Sequence, residues 1–232
     1  MKTINTTNYP MLRESGFSVV QVTPENIWQL ESRVTKAYKQ VFNASAWREW
    51  VKCANLCGYK ATYEEAPTVC PECSGDIVDF YSDAEVSEAI WKVMNKSYYQ
   101  ILILLTEWEV GWFGWGWQDT LETINTEKLW LSQDKFRLLE AWLSQNTINP
   151  EWSFFYLSEV WIVPKYRKNW IWASITRLNY DTVTNQTPET DATIVRTSTG
   201  SPMYPIQQEI WSAVVFSYND ADNRIILSRK NS

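Results

Sequence analysis

Between positions 154 and 183 a strand, a basic turn and a helix follow one another without a break, an order that belongs to an α/β chain. Phe154-Phe155-Tyr156-Leu157-Ser158-Glu159-Val160 reads as the strand. Ile171 to about Val183 reads as the helix, with Ile171, Ile175 and Leu178 at helical spacing. Between them runs Val163-Pro164-Lys165-Tyr166-Arg167-Lys168-Asn169-Trp170-Ile171-Trp172-Ala173. The first turn of a helix has unpaired backbone N–H groups and the positive end of the helix dipole, so a basic turn leading into it suits a phosphate. Close approach of a phosphate to the backbone calls for small residues. The two positions that should be small hold Trp170 and Trp172.

Those two indoles belong to a wider imbalance. The 232 residues include 15 Trp and 7 Gly, where average usage gives roughly 16 Gly. Trp also stands in Thr106-Glu107-Trp108-Glu109, which joins the apolar strands Tyr98–Leu105 and Val110–Trp117; a tight hairpin there calls for a left-handed residue. Trp28, Trp112, Trp130, Trp161 and Trp211 are further candidates for the same exchange. One reading is a gene in which UGA encodes glycine and has been rendered as tryptophan. The other is a chain rich in Trp on its own account, as binding surfaces often are.

With glycine at 170 and 172, the frame of Pro164, Arg167 and the two small residues resembles the acyl-CoA pyrophosphate loop of the GNAT superfamily of N-acetyltransferases. Glu159-Val160-Trp161-Ile162-Val163-Pro164 is similar to that family's central strand, and Val110-Gly111-Trp112-Phe113-Gly114-Trp115-Gly116 to the strand before it. Arg196-Thr197, Ile210-Trp211 and Val214-Val215-Phe216 fall where the fifth strand, last helix and sixth strand would begin. The resemblance runs from about Phe17 to Arg229, apart from a cysteine-bearing insert. It implies an α/β fold, with a mixed, mostly antiparallel sheet flanked by helices, and direct transfer of an acetyl group from acetyl-CoA to an amine in a ternary complex. It also implies site residues. Val160, Trp161, Ile162 and Val163 would pair with the pantetheine arm as an added strand. Backbone N–H groups from Arg167, Lys168, Asn169, Trp170, Ile171, Trp172 and Ala173 would hold the pyrophosphate, with Arg167 and Lys168 adding charge. Glu159 would serve as the base, acting through a water. The family's general acid is a tyrosine four residues before a late glycine; if Trp211 stands for that glycine, the matching position holds Gln207, and Tyr204 is the nearby tyrosine. The competing reading is an inactive fold of this type used as a binding module.

All four cysteines lie in one window. Cys53 and Cys57 are separated by three residues, Cys70 and Cys73 by two, and the pairs by twelve. This is a structural zinc spacing, closed by four thiolates. Gly58 and Ser74-Gly75 follow the second cysteine of each pair and allow tight turns around sulfur. The segment resembles a zinc ribbon, with strands near Tyr59–Tyr63 and Ile77–Tyr81. Two disulfides or a redox Cys-x-x-Cys pair are the alternatives.

Histidine is absent, which removes Ser-His-Asp, Cys-His and His-ligated metal chemistry. A net charge of −6 argues against a nucleic-acid-coating role and suits an amine-bearing acceptor, small molecule or protein. A nucleic-acid binder whose Trp stack on bases is the remaining rival. No apolar run reaches transmembrane length, so no membrane partner is expected. Met1-Lys2-Thr3-Ile4-Asn5-Thr6 has no apolar signal core, and a cytoplasmic protein is expected. The expected organisation is a flexible lead-in over 1–16, an acyltransferase domain over 17–229 and a ribbon insert over 51–81. Thr23-Pro24 should open a first helix, and Ser82 with Glu85 should form a capping box.

Overall fold

The computed structural model describes residues 2–43, 49–167, 169–186, 190–199, 203–211, 214–217 and 224–231. In chain order the first elements are β1 (Lys2–Thr3), α1 (Pro10–Glu14), β2 (Ser18–Gln21) and α2 (Ile27–Phe42). Three short strands follow, β3 (Val51–Cys53), β4 (Lys60–Ala61) and β5 (Ile77–Asp79), then α3 (Asp83–Met94). The middle of the chain is β6 (Tyr99–Leu105), β7 (Val110–Thr120), α4 (Leu121–Ile124) and α5 (Gln133–Gln145). The last part is β8 (Ser153–Ile162), α6 (Asn169–Gln186), β9 (Ala192–Ser198), α7 (Met203–Trp211), β10 (Val214–Ser217) and β11 (Arg224–Lys230).

Eight strands form one sheet in the order β1-β2-β6-β7-β8-β9-β11-β10, and β3, β4 and β5 form a second, with β3 central. Within the large sheet every pairing is antiparallel except β8 with β9, which is parallel. Helices cover both faces, as the apolar spacing requires. Ile27, Leu30 and Val34 of α2, Val86 and Ile90 of α3, and Leu139 and Leu143 of α5 pack on one face. Leu12 of α1 and Ile175 and Leu178 of α6 pack on the other, against Leu102, Leu104, Trp112 and Ile162. The sequence-based α/β architecture, with a mostly antiparallel sheet between helices, is the observed one.

Four local expectations are revised. Residues 2–14 are an edge strand and a helix: Lys2 pairs with Gln21 and Thr3 with Val20, and Leu12 is fully buried, a contribution of about 2 kcal/mol. The Tyr9 hydroxyl donates to Asp181 of α6 and fastens this segment down. The first helix begins at Ile27, because Asn26 Oδ1 accepts from Thr23 N (2.9 Å) and residues 23–26 close into a turn of their own. The Thr106–Glu109 turn needs no left-handed residue. Thr106 Oγ1 accepts from Glu109 N (2.9 Å) and Thr106 N donates to Glu109 O (2.8 Å), while Trp108 keeps an ordinary negative φ. The polar connection after β7 contains α4 and a single π-helical turn, Asn125–Leu129, which ends on Trp130. The capping box at Ser82 is present, with Glu85 N donating to Ser82 Oγ (3.2 Å) and Ser82 N to Glu85 Oε2 (2.7 Å).

Candidate active site and metal centre

The parallel pair at the middle of the large sheet comes apart. β8 and β9 are joined from Phe154↔Ala192 to Leu157↔Val195 and no further. Beyond that point β8 stays paired with β7 through Ile162, and β9 stays paired with β11 through Ser198. A wedge therefore opens between the two strands, with one backbone edge of residues 158–162 facing it.

A β-bulge sets the parting point. Trp115 pairs with Glu159 and Gly116 with Leu157, so Ser158 is an extra residue in β8. The bulge reverses the alternation of the strand: Phe154 and Tyr156 before it, and Trp161 and Val163 after it, all pack on the α2–α3 face. Gly116 makes room for it, since a Cβ there would lie 2.4 Å from the Tyr156 carbonyl oxygen. The bulge was not anticipated from sequence, because residues 154–157 and 160–163 are apolar or aromatic at every position and show no alternation whose shift could be read.

The basic turn follows at the open end of the wedge. Pro164–Tyr166 form a short 3-10 turn, and helix α6 starts at Asn169. Arg167 Nε donates to the Ile162 carbonyl (3.2 Å), which holds the guanidinium stem against the end of β8. Glu109, at the tip of the β6–β7 hairpin, binds Lys165 Nζ and accepts from Tyr166 Oη (3.0 Å). Phe17 meets Tyr166 edge to face, with ring centroids 5.1 Å apart. Lys165 and the Tyr166 hydroxyl hold the Glu109 carboxyl below its ordinary pKa. The tether through Glu109 is a further feature that sequence did not signal, because the hairpin tip lies more than fifty positions from the turn.

The expected site residues fall around this opening. Glu159 stands beside the bulge, opposite Trp115. Val160, Trp161 and Ile162 complete β8, and Val163 leads into the turn. Asn169, Trp170, Ile171, Trp172 and Ala173 are the first five residues of α6; Lys168 lies outside the described residues. Tyr204, on α7, packs against an apolar cluster that includes Phe155, Leu157, Tyr180 and Val195, and Val160 of β8 packs against the same cluster. On the opposite face Phe42 bridges Trp161 (centroids 5.0 Å) and Tyr81 at the root of the ribbon (5.2 Å).

The backbone geometry fits an amide-bearing arm ending in an anion. An exposed strand edge offers alternating donors and acceptors to an extended chain. The helix N-terminus beyond Arg167 offers N–H groups to a phosphate. The described residues include no helix long and apolar enough to cross a membrane.

The cysteines converge in the small sheet. Their four sulfurs lie within 4.8 Å of one another, with Cys53–Cys73 and Cys57–Cys70 each at 3.4 Å. Cys53 is the last residue of β3, a central strand that the two-strand expectation had not included. Each pair forms a tight knuckle. Leu56 and Ser74 are left-handed, at φ +53° and +57°, and Gly58 has φ +92°. Backbone N–H groups of Asn55, Tyr59 and Gly75 donate to the sulfurs of Cys53, Cys57 and Cys73. The Gly75 N–H, followed by the Cys53 thiol, brings the Cys73 thiol down to about 7. Four thiols in reach of one point, with N–H groups aimed at them, are a donor set suited to Zn²⁺.

No model of a known family matches the sequence, and neither does any curated protein. Solved structures do resemble the fold. An acetyltransferase from Salmonella typhimurium that modifies the N-terminal serine of ribosomal protein L7/L12 aligns over 100% of both chains at 8% identity, with a TM-score of 0.51. A ribosomal L7/L12 alpha-N-protein acetyltransferase in complex with coenzyme A aligns over 99% of this chain and 98% of its own, at 7% identity and a TM-score of 0.51. A protein assigned as arylalkylamine N-acetyltransferase 7, from the mosquito Aedes aegypti, aligns over 93% of this chain and 88% of its own, at 7% identity and a TM-score of 0.54. The chain has the fold of the GNAT acetyltransferases, carrying in addition a four-cysteine module between α2 and α3.

Proposed function

We propose that the protein is an N-acetyltransferase that moves an acetyl group from acetyl-CoA to an amine, with a structural zinc ribbon inserted beside the acceptor side. The observation that carries the reading is the parting of β8 from β9 at a bulge, directly before a turn that feeds a helix N-terminus. The solved structures of the same fold act on a protein N-terminus or are assigned to arylalkylamines, and one holds coenzyme A, which supports an amine-bearing acceptor and this cosubstrate.

Bound acetyl-CoA supplies the acyl group as a thioester. The residues do the rest. Val160, Trp161, Ile162 and Val163 line up the amide arm through backbone hydrogen bonds. The N–H groups from Arg167 to Ala173, with the Arg167 and Lys168 cations, hold the diphosphate. Glu159, acting through a water, takes the proton that the acceptor ammonium must lose before its nitrogen attacks the carbonyl carbon. As the new C–N bond forms and the C–S bond breaks, the nitrogen sheds its second surplus proton to water, while Tyr204 gives its proton to the departing sulfur and regains one from solvent. Cys53, Cys57, Cys70 and Cys73 hold Zn²⁺ and stiffen the ribbon.

A diphosphate needs small residues if it is to approach the backbone closely, and the second and fourth positions of α6 are tryptophan. The reading therefore requires glycine at 170 and 172 in the active protein. Trp170→Gly/Trp172→Gly protein should release thiol from acetyl-CoA when given a panel of small amines and peptide N-termini. Glu159→Gln in that background should lower kcat by about 10²–10⁴-fold without weakening acetyl-CoA binding. Tight acetyl-CoA binding with no transfer to any acceptor would favour the inactive binding module instead.

A further inference from the structure

Arg196 is the residue of β9 that follows the last pair joining that strand to β8, Leu157 with Val195. Strand alternation fixes its face. Ile194, two residues earlier, and Ile226, its partner on β11, both belong to the core on the α2–α3 side of the sheet. Across the opening Glu159 pairs with Trp115, which belongs to the same core. Directly opposite partners share a face, so Glu159 and Arg196 hold register positions on one face, on the two banks of the wedge. The Arg196 side chain is half-buried. Its Nη1 donates to the Lys128 carbonyl in the π-helical turn (2.6 Å), and the guanidinium lies over the Trp130 ring (5.2 Å). Among the described residues no carboxylate pairs with it. Glu127, next to Lys128, is committed with Asp119 to Lys96 (2.8 and 3.1 Å). A guanidinium has five N–H donors in a planar fork, so a half-buried one with a single protein acceptor is matched to a carboxylate.

We propose that Arg196 binds a carboxylate on the acceptor, so that the amine receiving the acetyl group belongs to a molecule of the amino-acid or ω-amino-acid class. This rests on the acetyltransferase reading and names its substrate class. The amine is deprotonated from the Glu159 bank while the carboxylate is drawn to the other, which fixes the acceptor at two points across the mouth of the opening. A guanidinium and a carboxylate join through two parallel charge-assisted hydrogen bonds. At a half-buried position solvent ions screen that pair less than at an exposed one. The Lys128 carbonyl holds the guanidinium in place before the acceptor arrives, so little freedom is lost on binding.

The test uses the full chain as Trp170→Gly/Trp172→Gly, with acetyl-CoA as donor and matched acceptors: glycine, β-alanine and γ-aminobutyrate, each against its own carboxamide. The quantity read is the ratio of kcat/KM for the acid to that for the amide, with and without Arg196→Met. The difference in amine basicity between acid and amide is the same for both proteins and cancels. For at least one pair the ratio should fall about tenfold in Arg196→Met, through a raised KM for the acid. Arg196→Gln, which can still donate to the Lys128 carbonyl but carries no charge, should lower it alike. A ratio unchanged in both variants, even where acid and amide activities fall together, assigns Arg196 to holding the turn at Lys128 and overturns the inference alone. Transfer to other amines but to none of these acids overturns it as well. No transfer to any amine by the folded protein overturns the acetyltransferase reading, and the inference with it.

Discussion

Trp130 has a left-handed backbone, φ +51° and ψ +37°, at the end of the π-helical turn, and its side chain is 66% exposed. That conformation costs an ordinary residue about 1–2 kcal/mol, which glycine avoids. Trp112 is the opposite case: it is fully buried, although its indole N–H has no partner among the described residues. Trp130→Gly should therefore leave the urea midpoint unchanged or raise it, since the lost stacking of Arg196 on the indole (5.2 Å) is the smaller effect. Trp112→Gly should cost about 3–5 kcal/mol. A loss at 130 comparable to that at 112 would count against a glycine-designed position. The same contrast marks how far tryptophans can be judged from sequence. The excess of Trp over Gly was legible, but which positions demand glycine was not: the hairpin at Trp108 satisfies itself through the Thr106 hydroxyl, whereas the left-handed stop at Trp130 came from a π-helical turn that no periodicity announces.

Between β7 and β8 the geometry depends on one small residue. Gly116→Ala brings a methyl group against the Tyr156 carbonyl, and should destabilise the protein by ~2 kcal/mol or more, read as a shift of the denaturation midpoint at constant slope. An effect within ~0.5 kcal/mol would mean that the bulge tolerates a side chain. The hairpin tip makes a separate prediction. Lys165 and Tyr166 depress the Glu109 pKa below its usual 4.5, so the folded state holds fewer protons at this site than the unfolded state. The tether is then present above the ordinary carboxylate range and is lost as pH falls through the depressed value. A carbon-detected titration of Glu109 should inflect below 4.5, moving upward in Lys165→Met; an inflection at or above 4.5 in the parent contradicts the tether. Helices α3, α5 and α6 were readable from apolar spacing and a capping box, because those signals are local. The wedge was not, since it arises from a register change between strands whose pairing no single segment encodes.

The molecule divides its work between a sheet that creates an opening and a ribbon set beside it. The ribbon is bound to the body through aromatic contacts of Tyr81 with Tyr38 and Phe42 (centroids 5.1 and 5.2 Å) and the Lys39–Asp79 ion pair (2.9 Å). Because structural zinc contributes folding free energy directly, a chelator should remove one Zn²⁺ per chain and raise hydrogen exchange across residues 51–79, with β6 and β7 still protected. Protection unchanged in the ribbon would show that the four thiols do not depend on metal. The central claim concerns the turn after β8, where a diphosphate needs bare backbone. Calorimetric titration with coenzyme A of the present chain and of Trp170→Gly/Trp172→Gly tests it most directly. Saturable one-to-one binding by the double-glycine protein, and none by the tryptophan protein, is the predicted result; equal affinities for the two would contradict it.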